Sequence, residues 1–358
     1  MITLDRRPET SQIWLYATPL LAVFLTVLCG AILFAFLGFD PADALHAYFI
    51  LPLADQYGLG ELTVKATPLA MIAVGLALGF RANVWNIGAE GQLTLGAIFG
   101  GGLALAFYGQ EGPLLLPAML IGGMVGGALW AAIPAFLRTR FNANEILVSL
   151  MLTYVAGLLL SYLVTGPWKD PMGFGFPQTR LFGEGAILPI LLDGTRMHIG
   201  FPLALVAVAA AWFIVSRSLF GFQIKVVGLT PPAAGYAGFS GRRIIWATLL
   251  IGGALAGLAG AIEVSGPIGQ LTPSISPGYG FTAIIVAFLG RLHPVGILLA
   301  ALLMALSYIG GETAQIELGL PVAVTGVFQG MLLFFLLASD VLVHFRVRFR
   351  LRGAGRAA

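Results

Sequence analysis

Side chains able to hydrogen-bond a solute are concentrated in one short stretch, Gly79-Phe-Arg-Ala-Asn-Val-Trp-Asn-Ile-Gly-Ala-Glu-Gly-Gln92. It gathers Arg81, Asn83, Asn86, Glu90 and Gln92 between two apolar runs. Amides and a carboxylate in that pattern suit a neutral polar solute, to which they can donate and accept hydrogen bonds. A bare carboxylate within lipid is costly, so Glu90 is expected to be paired, wetted or near the cytoplasmic face, with Arg81 as a partner. The same residues also read as a tight turn between helices, with Asn86 as N-cap and Glu90 in the first turn that follows. A second polar pair is Asn144 and Glu145. Glu145 follows Arg138 and Arg140, so it serves either solute contact or an ion pair at the membrane edge. Glu263 ends another apolar run, where it could face an external partner.

Several chemistries are excluded. A Walker A loop needs Gly-Lys followed by Ser or Thr. The lysines are Lys65, Lys169 and Lys225; none follows Gly or precedes Ser or Thr, so the chain is not itself a P-loop ATPase. His46, His198, His293 and His344 lie far apart and none sits in H-E-x-x-H. One cysteine excludes a disulfide framework and a cysteine zinc cage. Gly238-Phe-Ser-Gly241 has the form of an intramembrane serine protease motif. Ser240, however, stands directly before Arg242 and Arg243, at the wrong depth for such a nucleophile.

The elements that must position these residues are membrane helices. Of 358 residues, 58% are hydrophobic and 10% charged, where soluble domains carry roughly 25% charged residues. Mean hydropathy is +0.94. This excludes an ordinary soluble domain and a disordered chain. The 48 glycines suit membrane helices that pack closely. The net charge of +3 sits in short basic clusters between apolar runs, the pattern of loops facing anionic lipid rather than nucleic acid.

Charge-free runs are Thr10–Phe39, Ala66–Phe80, Gly91–Gln110, Gly112–Leu137, Ile146–Trp168, Met197–Ser216, Ile244–Ile262, Leu292–Gly311 and Leu318–Ser339. The first could span roughly 45 Å as a helix, too long for a signal peptide. Between Val264 and Gly290 lies a further run, broken by Pro267, Pro273 and Pro277, whose apolar half Tyr279–Leu289 reads as a half-helix or re-entrant piece. The expected fold is an all-α polytopic membrane bundle of about ten segments, one or two discontinuous, with both termini cytoplasmic. Residues 1–12 would be an N-terminal tail, 13–343 the transmembrane domain with a cytoplasmic loop at 217–243, and 344–358 a basic tail. On this layout only Lys65, Lys169, Arg180 and Arg196 of the 19 basic residues fall outside, as the positive-inside rule requires. The outer segments Asp40–Glu61 and Pro167–Gly200, rich in aromatics and proline, read either as a docking rim for an external partner or as an interfacial aromatic belt.

Two further patterns point to a transporter. Ala77-Leu-Gly-Phe-Arg81 and Phe288-Leu-Gly-Arg291 each end an apolar segment at Gly and Arg and then turn back, a short internal echo. In the loop at 222–243, Thr230 precedes Pro231-Pro232 as an N-cap would. Ala233, Ala234 and Ala237 then give a short helix with a small face, ended by Gly238. Such a helix suits docking into a groove of another protein, or rests on the membrane.

Four stretches in order carry a family resemblance: Phe80-Arg-Ala-Asn-x-x-Asn-Ile-Gly-Ala-Glu-Gly-Gln92, Val227-Gly-x-x-x-x-Ala-Ala-x-x-Ala-Gly238, Leu255-Ala-Gly-Leu-Ala-Gly-Ala261, and Gly278-x-Gly-Phe-x-x-Ile-x-Val-Ala-x-Leu-Gly-Arg-Leu-His-Pro-x-Gly296. Over about Ala66–Ala338 the chain resembles permease subunits of bacterial ABC importers for branched-chain amino acids, simple sugars and nucleosides. Asn142-Ala-Asn-Glu-Ile-Leu-Val-Ser149 and Gly166-Pro-Trp168 resemble the nucleoside, basic membrane lipoprotein-linked subgroup.

The resemblance implies a multi-pass protein of the bacterial inner membrane that binds no cofactor itself. ATP and magnesium would be used by two cytoplasmic ATPase partners. A second permease subunit, often a different chain so that the pair is a heterodimer, would complete the pathway, and a periplasmic or lipid-anchored binding protein would deliver the solute. It also implies that the ATPases grip Thr230, Pro231, Ala233, Ala234, Ala237 and Gly238. The pathway would be lined by Asn83, Asn86, Glu90, Gln92, Asn144 and Glu145. Pro231-Pro232 stand where many relatives carry polar or acidic residues. A self-contained secondary transporter is the rival reading; it would need acids deep within the spans.

Overall fold

The computed structural model describes residues 2–6, 12–110, 112–321 and 323–349. Among them are α1 (Gln12–Phe36), α2 (Pro41–Phe49), α3 (Gln56–Arg81), α4 (Ala89–Ala106), α5 (Leu115–Phe141), α6 (Glu145–Thr165) and α7 (Gly200–Arg217). There follow α8 (Leu219–Leu229), α9 (Pro231–Tyr236), α10 (Gly241–Glu263), α11 (Tyr279–Leu289), α12 (Pro294–Leu318) and α13 (Ala323–His344). Each apolar run of the sequence carries a helix. Eight helices are long and apolar enough to cross a membrane: α1, α3, α5, α6, α7, α10 with its continuation, α12 and α13. Two shorter apolar helices are α8 and α11, with 11 residues each, and α4 has 18 residues.

The helical expectation holds for the body of the chain, and the tails depart from it. Strand β1 (Ile2–Arg6) pairs antiparallel with β2 (Phe345–Phe349). Apolar residues alternate with arginine in Phe345-Arg-Val-Arg-Phe349, and a period of two favours a strand over continuation of α13. The rest of the two expected tails, with Arg7, Arg350, Arg352 and Arg356, lies outside the described residues.

The chain divides into two compact units, 1–52 with 307–358 and 53–306. In the smaller, Phe34, Tyr48 and Phe328 form an aromatic cluster, with Tyr48 stacked on Phe328 at 4.7 Å. The Tyr48 hydroxyl shares a 2.9 Å hydrogen bond with Ser307 Oγ. Burial pushes the phenol up to about 12, although the bonds to Ser307 and Thr325 oppose this.

In the larger unit α3 is the central helix, with 83% of its span buried. Beside it α4, α5 and α10 approach through glycines. A Cβ on Gly257 of α10 would lie 2.1 Å from Gly123 O of α5, and one on Gly96 of α4 would lie 2.1 Å from Gly257 O. Lipid tails give apolar helices little reason to associate, so this close van der Waals contact between backbones is what joins them. By contrast α6 is largely uncovered, with 17% of its span buried.

The broken segment has the expected form. After Glu263 the helix loosens into a π-turn over Val264–Ile268, and Gly269 (φ +72) ends it. The chain then runs without helix to Gly278 (φ +98), a conformation glycine adopts without strain, where α11 begins. Irregular backbone at this depth needs partners. The segment between α6 and α7 supplies them: Thr179, Phe182 and Leu188 N–H donate to Leu271, Gly269 and Ser265 carbonyls at 2.7–3.0 Å. The tip of that segment is bare, with Met172, Phe174 and Phe176 exposed. It is thus both a cover and an exposed apolar rim.

Candidate functional site

The elbow between α3 and α4 is built by local hydrogen bonds. Val84 N–H returns to Gly79 O at 2.9 Å. Asn83 takes a left-handed conformation (φ +57), which asparagine tolerates, and its Oδ1 accepts Trp85 Nε1–H at 3.0 Å. The echoed second turn packs against this one. Phe80 stacks on Phe288 at 5.2 Å, and Arg81 Nε donates to Leu292 O at 2.9 Å.

Asn86 and Gln92 are locked together. Asn86 Nδ2 donates to Gln92 Oε1 at 2.9 Å, and Gln92 Nε2 donates to Asn86 Oδ1 at 3.1 Å. Asn86 Oδ1 also accepts Gly88 N–H. Both side chains are buried, so each amide satisfies the other. The expected N-cap role of Asn86 is corrected: Gly88 holds the cap position of α4, and the Asn86 side chain is engaged two residues earlier.

Glu90 does sit in the first turn of α4. Its expected partner is corrected too, because Arg81 turns to Leu292 instead. Glu90 Oε2 accepts Gly280 N–H at 2.6 Å and the carboxylate is also bonded by the Ser276 hydroxyl. Gly280 is in the first turn of α11, so a carboxylate from α4 caps the positive end of that half-helix. Beside it lies an open recess of about 400 Å³, lined by Glu90, Thr94, Thr153, Tyr154, Ser274 and Ser276 among others.

The second polar pair is held near the elbow. Glu145 pairs with Arg138 and accepts Trp85 N–H at 3.3 Å. Arg138 reaches back to Asn83 O at 3.4 Å. Asn144 is the N-cap of α6, its Oδ1 accepting Ile146 N–H at 2.9 Å. The six candidate residues therefore fall into groups: Asn83 with Glu145, Asn86 with Gln92, Asn144 in its own cap, and Glu90 at the recess.

The short helix in the loop at 217–243 is present as α9. Thr230 takes the N-cap position, although its hydroxyl makes no cap bond. Pro231 and Pro232 fill the first turn, Ala237 caps the end, and Gly238 turns at φ +77. Ala234 packs with Leu78, Val84, Ile224 and Ile244 beneath the elbow. Pro231, Ala233, Ala237 and Gly238 are exposed. Tyr236, which the alanine pattern did not single out, is 95% exposed. Ser240 caps α10, its Oγ accepting Arg243 N–H, an ordinary structural use of that serine.

At the opposite end Arg196 forks onto Glu61, with Nε to Oε1 at 2.7 Å. Glu263 is corrected from an outward-facing residue to a buried one, with Lys65 and Arg196 as the cations whose charges reach it. His198 is buried alongside. Its Nδ1 accepts Gly200 N–H at 3.1 Å, and Nε2 has no hydrogen-bond partner among the described residues. Burial, then the Arg196 charge, lowers its pKa to about 4. An unfolded histidine ionises near 6.5, so between the two values only the unfolded chain gains the proton. Stability from this site is complete above pH 6.5 and falls towards pH 4, by on the order of 3 kcal/mol. Thermal melting of the detergent-solubilised protein should drop over that interval in wild type, and His198→Gln should flatten the drop.

The family model described as branched-chain amino acid transport system / permease component matches residues 58–337. The glucose ABC transporter permease protein TsgB13 of Haloferax volcanii is 38% identical over 97% of this chain and 93% of its own. The guanosine ABC transporter permease protein NupP of Bacillus subtilis is 33% identical over 94% of this chain and 97% of its own. The nucleoside ABC transporter permease protein NupB of Lactococcus lactis is 30% identical over 90% of this chain and 91% of its own. With its apolar helices, broken segment and small-faced loop helix, the chain belongs to this permease family: it is a multi-pass membrane subunit of an ABC transporter, a transport component and not an enzyme.

Proposed function

We propose that this subunit imports nucleosides across the bacterial inner membrane, crossing it ten times with both ends in the cytoplasm. The observation that carries the substrate is that two separate relatives, a guanosine and a nucleoside permease, match over nine-tenths or more of both chains. The recess at Glu90 supports it, since hydroxyls, a carboxylate and a tyrosine ring suit a hydroxylated solute with a flat face.

Glu90 is the residue assigned to the solute path itself. Asn86 and Gln92 hold the elbow behind it, and Asn83, Asn144 and Glu145 border the inner mouth. Two cytoplasmic ATPases, which use ATP and magnesium, grip the loop around α9; closure of the pair moves α9 and, through Ala234, the elbow. A second permease subunit faces the uncovered side of α6, and an external binding protein delivers the solute at the rim near Phe174. A sugar is the second reading, favoured by the 38% identity to a glucose permease.

Equilibrium binding of nucleosides, hexoses and branched-chain amino acids to the cognate binding protein tests the choice. Nucleosides should bind in preference. Exclusive binding of glucose or leucine would overturn the nucleoside reading, and uptake that survives deletion of the ATPase would overturn the ABC coupling.

A further inference from the structure

Three hydroxyls at the Glu90 recess, those of Thr94, Thr153 and Ser276, are already engaged. Thr94 Oγ donates to Glu90 O at 2.9 Å, and Thr153 Oγ donates to Ser149 O at 3.3 Å. Ser276 Oγ accepts Gly278 and Tyr279 N–H at 3.1 and 2.9 Å and is bonded to Glu90. Lone pairs remain on the threonine hydroxyls, and a carboxylate has about four acceptor positions, of which Gly280 and Ser276 occupy two. Around Glu90 the recess therefore offers acceptors and one negative charge, with the Tyr154 and Ser274 hydroxyls at its wall as the remaining donors. Among the described residues no lysine or arginine lines it, and none of the described salt bridges includes Glu90.

We infer that Glu90 reads the sugar hydroxyls of the solute, and that the recess admits uncharged, donor-rich solutes while turning away phosphorylated ones. Two neighbouring hydroxyls can donate together to one carboxylate, and hydrogen bonds to a charged acceptor are strong. Tyr154, 64% exposed, offers its ring beside them. A helix N-terminus left open would attract phosphate. Here the end of α11 is already filled by Glu90, so an anion-attracting end becomes a hydroxyl-accepting one. A phosphate entering would meet a fixed like charge. The inference rests on the proposed function only for a hydroxylated solute, a property ribonucleosides and hexoses share.

The test is uptake into proteoliposomes holding the whole transporter, with rates corrected for the affinity of each compound for the binding protein. Whichever of a ribonucleoside and glucose is carried should be compared with its deoxy analogue, 2′,3′-dideoxy for the nucleoside and 2-deoxy for glucose, and with its phosphate ester. Wild type should carry the parent about tenfold or more faster than the deoxy analogue, and the ester hardly at all. Glu90→Gln should erase the preference between parent and deoxy analogue. If Glu90→Gln slows both alike and keeps their ratio, Glu90 is a helix cap only and the inference fails. Should that variant not accumulate, the wild-type ratio decides, and a ratio near one overturns the inference while leaving the nucleoside reading intact. If neither nucleoside nor glucose is carried, both fall.

Discussion

Replacing Gly257 by leucine is expected to abolish the folded protein. A side chain there meets carbonyl and Cα atoms, not flexible side-chain ends: Gly123 O at 2.1 Å and Gly127 Cα at 2.9 Å from the first added carbon. Backbone cannot swing aside as a rotamer can, so α10 must part from α5. Overpacking a core by a few methylenes costs about 1–3 kcal/mol even where side chains can yield, and here four carbons are added against main chain. Marginal stability leaves little reserve for that. Membrane-extracted Gly257→Leu should give little monodisperse material by size-exclusion chromatography. Gly330→Leu, where none of the described residues lies within 4 Å, should behave as wild type. Normal yield and melting temperature for Gly257→Leu would show that α5 and α10 are not joined through these glycines.

Tyr236→Ala is expected to leave folding intact and to cut transport about tenfold or more. The side chain is 95% exposed, so its removal opens no cavity. Exposed aromatics that insert into a partner commonly carry about 2 kcal/mol or more of an interface. The helix beneath it is fixed by Ala234 in its apolar cluster, so the ring is presented on a firm base. Co-purification of the ATPase and solute-stimulated ATP hydrolysis should both fall, with membrane levels of the permease unchanged. Wild-type uptake by Tyr236→Ala would remove α9 from the coupling surface.

Much of this architecture is written locally and is legible from the residues. Apolar runs bounded by Arg, Gly and Pro give the helices, because a buried backbone must bond itself. The prolines and glycines between Val264 and Gly278 announce a broken segment for the same reason. The limits of α9 follow from Thr230, the two prolines and Gly238. What escapes is pairing across the chain. Glu90 and Gly280 are 190 positions apart, and Glu61 and Arg196 are 135 apart. No periodicity encodes such contacts. Arg81 is the nearer cation in sequence to Glu90, yet its helix turns it towards Leu292. Asn86 has the right chemistry for a cap, but six residues on Gln92 offers a matching amide and takes it. Tyr236 carries no mark in an alanine pattern; only its exposure distinguishes it.

The covered stretch before α11 has a mechanical consequence. Its carbonyls are stitched to the segment carrying Thr179, Phe182 and Leu188, and it runs on to Ser274 and Ser276 beside Glu90. At its far end α11 is fastened to α3 by the Phe80–Phe288 stack. On the proposed function, a push on the bare tip at Phe174 would be carried through these hydrogen bonds to the stretch that borders the recess.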